Sequence, residues 1–114
     1  YDSVIAPLRA QKAETPPLVS ALRGRAEVLL QRGDAARALV DAEAAVATAR
    51  ELQGSNAHSD TTGLAWLTLA RVLRASGAQE RWREAIATAH AELVQTLGND
   101  HPETRAASEL LAQR

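Results

Sequence analysis

Cysteine, methionine and phenylalanine are absent from this chain, and two tryptophans and one tyrosine are its whole aromatic content. Without cysteine there are no disulfides and no thiolate metal sites; the compartment is left open by that absence. With so few large side chains, a core has to be assembled from Leu, Val, Ile and above all Ala, which favours helices that approach one another closely. Strands have equally little support, because β-branched residues are scattered singly and no stretch alternates apolar and polar positions. An all-α fold is expected. Lysine is nearly missing too: Lys12 is the only one, and the formal net charge is -1. No single-signed field draws in nucleic acid or an anionic membrane, so neither partner is expected. No run of 18 apolar residues is present, and Tyr1 to Ala10 has no signal-peptide core, so a cytoplasmic location is expected. Since the chain starts at Tyr1 rather than Met, it reads as a piece of something longer.

What is present is helical periodicity, cut by Pro16-Pro17, Gly33, Gly54 to Asp60, Gly77, and Gly98 to Pro102. The 114 residues suit one domain. Residues 1–15, with Val4, Ile5, Leu8 and Pro7, read as a leader helix or the tail of an upstream repeat. Residues 16–114 form the main domain: helices from Leu18 to Arg32, stopped by Gly33, and from Ala35 to Gln53, capped by Asp34. A third, Thr61 to Ser76, is apolar nearly all round, as a helix enclosed by others should be. A fourth carries the stripe Trp82, Ile86, Ala89, Leu93 and Leu97, and a polar closing helix spans 102–114.

The cuts repeat. Gly33 and Gly77 are 44 residues apart, as are Gly54 and Gly98, and Ala26, Ala70 and Ala112 are separated by 44 and 42, the spacing that helical solenoids produce. Leu69-Ala70, Gly77, and Leu97-Gly98-Asn99-Asp100-His101-Pro102-Glu103-Thr104 followed by Leu111-Ala112 resemble the tetratricopeptide repeat (TPR) of the longer, kinesin-light-chain-like variety. The preceding copy matches through Leu22, Ala26, Leu29, Gly33, Ala38 and Ala45, with Arg25 in place of the family's Leu. Trp82 stands where the family has Ala, so that crossing is either wider or has the Trp over a helix end. The resemblance implies a right-handed TPR-type superhelix of antiparallel helix pairs, with repeats at 18–53 and 61–97, whose concave groove holds a protein or peptide without catalysis.

Catalytic and metal-binding patterns find no complete set. His101-Pro102 reads as a helix start, His58 with Asp60 supplies two possible ligands where zinc needs three or four, and His90 has no helical acid partner. There is no phosphate-binding Gly loop and no nucleophile elbow. Neither an enzyme nor a cofactor or metal is expected. Mapped onto the family's concave face, the partner-binding candidates are Arg23, Glu27, Leu64, Leu67, Arg71 and Arg74, which suit a short peptide with one apolar anchor and acidic residues or a terminal carboxylate. Alternatively the arginines are a solvated face paired with local acids such as Glu27, and the leucines are covered by the next helix or by a second copy in a homodimer. A regulatory tail that packs on a kinase or signalling domain of the same polypeptide, and a self-associating module, are the competing functions.

Overall fold

The computed structural model describes residues 16–113, and the leader expected over 1–15 lies outside them. Five helices follow in order: α1 (Pro16–Gln31), α2 (Ala35–Gln53), α3 (Asp60–Ala75), α4 (Gln79–Leu97) and α5 (Pro102–Gln113). No strand occurs among the described residues, so the chain is all-α there. None of these helices is long and apolar enough to cross a membrane.

The helix ends are set by local chemistry. At the close of α1 the N–H of Gly33 donates to Leu30 and that of Asp34 to Leu29; at the close of α3 Gly77 donates to Arg74 and Ala78 to Leu73. This paired closure needs a left-handed residue, and Gly33 (φ 81°) and Gly77 (φ 84°) supply it without a Cβ clash. The two turns are thus built alike. Asp34 accepts from the Arg37 N–H at the start of α2 and Ser59 from the Thr62 N–H at the start of α3. His101 accepts the Glu103 N–H on Nδ1 just ahead of Pro102.

Each three-residue turn returns the chain along its neighbour, so α1 packs on α2 and α3 on α4, while α2 and α1 both pack on α3 and α5 packs on α4. The molecule measures 39 × 33 × 22 Å, a slab two helices thick. The interior is the alanine-rich core expected: Ala26, Ala38, Ala42, Ala45, Ala65, Ala70 and Ala89 are fully buried beside Leu73, Ile86 and Leu93. Arg25, the polar intruder between α1 and α2, forms a two-pronged hydrogen-bonded pair with buried Asp41 at 2.8 and 2.9 Å. Trp82 is buried at the start of α4, its indole N–H donating to Gln79 and the Arg74 guanidinium lying 5.4 Å over its ring.

Helix α3 is the enclosed one, with Thr62, Gly63, Ala65, Leu67, Thr68, Leu69, Ala70, Val72 and Leu73 all buried. It lies tightly against α4 at Gly63, where an added Cβ would stand 2.9 Å from Leu93 Cδ2 and 3.3 Å from Glu92 Cβ. A Gly63→Val substitution is therefore expected to lower the unfolding free energy by about 1–3 kcal/mol through overpacking. Urea melts followed by helical circular dichroism check this; an unchanged midpoint would show that the α3–α4 contact is looser than described.

Candidate functional site

The candidate residues sit on α1 and α3, and the question is which of them share an accessible face. Arg23 and Glu27 are one turn apart on α1, and Arg71 faces them from α3. The structure joins these three through a residue not singled out from the sequence, Thr68. The Arg23 Nε–H donates to Thr68 Oγ1 at 3.0 Å, and the Thr68 hydroxyl donates to Glu27 Oε2 at 3.4 Å. Glu27 also pairs with Arg71 at 3.7 Å. A second unforeseen member is Glu103, in the first turn of α5, whose carboxylate lies 3.8 Å from the Arg23 guanidinium. Helices α1, α3 and α5 thereby meet on one polar network.

Burial holds the Arg23 guanidinium below its ordinary pKa; Glu27 and Glu103 pull the value back up, and nearby Arg71 pushes it down. Thr68 is fully buried, so its hydroxyl answers the Arg23 donor where water does not reach.

Leu64 is partly exposed beside this network and packs against the core. Leu67 corrects the expectation drawn for it: it is 0% exposed and belongs to the core, not to a surface that a partner could touch. The reason is tertiary: Leu67 is one turn from Arg71 on the same side of α3, and the helices packed on α3 cover the short apolar side chain while the longer Arg71 reaches past it to Glu27. Arg74 is exposed but lies over the Trp82 ring at the α3–α4 turn, and no contact joins it to Arg23, Glu27 or Arg71. The face thus holds Arg23, Glu27, Arg71 and Leu64 of the six candidates, with Thr68 and Glu103 added.

His58 lies 3.1 Å from Glu92 on α4, which also accepts the Ser59 N–H, and this ties the α2–α3 connection to α4. Among the described residues no group of three or more His, Asp or Glu side chains converges as metal ligands would. An open cavity of about 450 Å³ lies beside that connection, with Gln53, His58, Asp60 and Thr61 on one part of its wall and Ala49 and Leu52 on another.

No family model, curated protein or solved structure matches this chain.

The network makes a stability prediction. Thr68→Val leaves the Arg23 Nε–H without its acceptor and should cost about 1–3 kcal/mol. Combined with Arg23→Met the losses should be less than additive by about 0.5–3 kcal/mol. Denaturant melts of the four proteins in this cycle check it, and strict additivity would contradict the contact.

Proposed function

We propose that this chain is a non-catalytic TPR-type interaction module, a right-handed superhelix of antiparallel helix pairs that holds a protein or peptide segment in a concave groove formed by α1, α3 and α5. The observation that carries the reading is the convergence of Arg23, Glu27, Thr68, Arg71 and Glu103 from three separate helices onto one face, with Leu64 partly exposed among them. Such a face offers an apolar contact ringed by oriented charged groups, which suits a segment laid across the helices. In its support stand the alike turns at Gly33 and Gly77 and the packing of α1 on α3, as expected when equivalent helices of successive pairs lie side by side. A cytoplasmic location belongs to the same reading.

A second reading is favoured by α2, whose surface leaves two apolar side chains exposed, Val40 at 66% and Leu52 at 42%. These side chains would serve a homodimer, or a kinase or signalling domain of the same polypeptide, as the covered surface. Sedimentation over a range of concentrations separates the two: a monomer at all concentrations argues against self-pairing.

For the leading reading, Leu64→Asp and Arg71→Glu should each abolish capture of the cellular partner in a pull-down while helicity is unchanged. Retained capture by both variants would defeat the assignment of this face.

A further inference from the structure

The two helix pairs carry the same concavity at the same place. Between α1 and α2 a cavity of about 290 Å³ is lined, among the described residues, by Arg25, Leu29, Arg37, Val40 and Asp41. Adding the repeat interval of 44 to each number gives Leu69, Leu73, Arg81, Glu84 and Ala85, and these five line a cavity of about 400 Å³ between α3 and α4. On the second pair, α2 runs along this side. The Thr62 hydroxyl donates to Gln53 at 2.7 Å, and the Arg81 guanidinium donates to Glu43 at 2.9 Å.

The Thr62–Gln53 contact fixes a register. Helix α2 is antiparallel to α3, so counting back from Gln53 and on from Thr62 brings Ala49 level with Trp66 and Val46 level with Leu69. On each helix these residues are three or four positions apart and share one face. Helix α1 starts at Pro16 and α3 at Asp60, again 44 apart. A segment placed on α1 as α2 is placed on α3 therefore brings Ile5 level with Leu22 and Asp2 level with Arg25.

Both exchanges compensate. A small residue facing a large one, Ala49 with Trp66, becomes two of middle size, Ile5 with Leu22. An apolar pair, Val46 with Leu69, becomes an acid facing a base, Asp2 with Arg25. Arg25 is bonded to Asp41, and a guanidinium with five donors can serve two carboxylates. The connection fits as well, since residues 10–15 equal in number the residues 54–59 that join α2 to α3.

We infer that residues 2–9 of this chain lie along α1 as α2 lies along α3, with Ile5 on Leu22 and the Asp2 carboxylate accepting from the Arg25 guanidinium. The occupant of this side is the chain's own leader. Pro7 takes the place of Glu51, an exposed position of α2, so the bend that proline imposes falls away from the packed side.

The chain has no cysteine, so Ser3→Cys, at the place of exposed Ala47, gives the full chain a single attachment point for a nitroxide. In the isotope-labelled protein the amides from Leu22 to Leu29 should lose most of their intensity, and those of α5 should keep theirs. Adding Ile5→Asp should restore the Leu22 to Leu29 amides with the rest of the spectrum retained, and Asp2→Lys should restore them in part. A mixture of nitroxide-bearing chain without isotope and isotope-labelled chain without nitroxide should show no loss. Loss that is greatest at Val19 and gone by Arg25, loss that survives both substitutions, or loss in the mixture, which would mean that a second copy supplies the segment, would each overturn the inference. The nitroxide pattern of the Ser3→Cys chain decides by itself if the other variants fold poorly.

Discussion

Helix α3 is surrounded by α1, α2 and α4, and small residues interleaved with its buried leucines let those neighbours pack against it. Gly63 lies against Leu93 and Glu92 with no room for a Cβ, and Ala65 and Ala70 are fully buried on the same helix. Larger side chains at these positions would hold the helices apart at the wider end of normal interaxial distances. At close range the contact gains dispersion energy from many short separations. On the other side of α3 the Thr68 hydroxyl stands 3.0 Å from Arg23 Nε, so the polar network depends on α1 and α3 lying side by side.

That network gives the α1–α3–α5 face its character. Arg23 stands by Glu103 and Arg71 by Glu27, so the face is densely charged yet balanced in sign. Exposed ion pairs of this length contribute little stability of their own.

The sequence made the helices legible because their ends carry chemical signals that act over a few residues: Gly33 and Gly77 as left-handed stops, Asp34 as a cap, His101-Pro102 as a start. The alanine core was legible from period alone. The site was legible only in part. Helix α3 is apolar nearly all round, so its pattern does not reveal which narrow strip is left uncovered, and Leu67 was placed on that strip when it lies in the core. Thr68 and Glu103 pair with residues 45 and 80 positions away, and no local spacing announces such contacts. Arg74 was assigned by its place on the helix, but the Trp82 ring across the turn claims it. Arg25, a charged residue between two packed helices, is explained by Asp41 on the facing helix.

The central claim is that α3 is the enclosed helix on which both hairpins and the shared face depend, while α5, with Thr104 and Ala107 as its fully buried residues, is held far more lightly. Native-state amide hydrogen exchange resolved by residue tests this most directly. The amides from Ala65 to Leu73 should exchange slowest, through global unfolding alone, and those of α5 fastest among the helices. Exchange of α3 as fast as that of α5 would contradict the account.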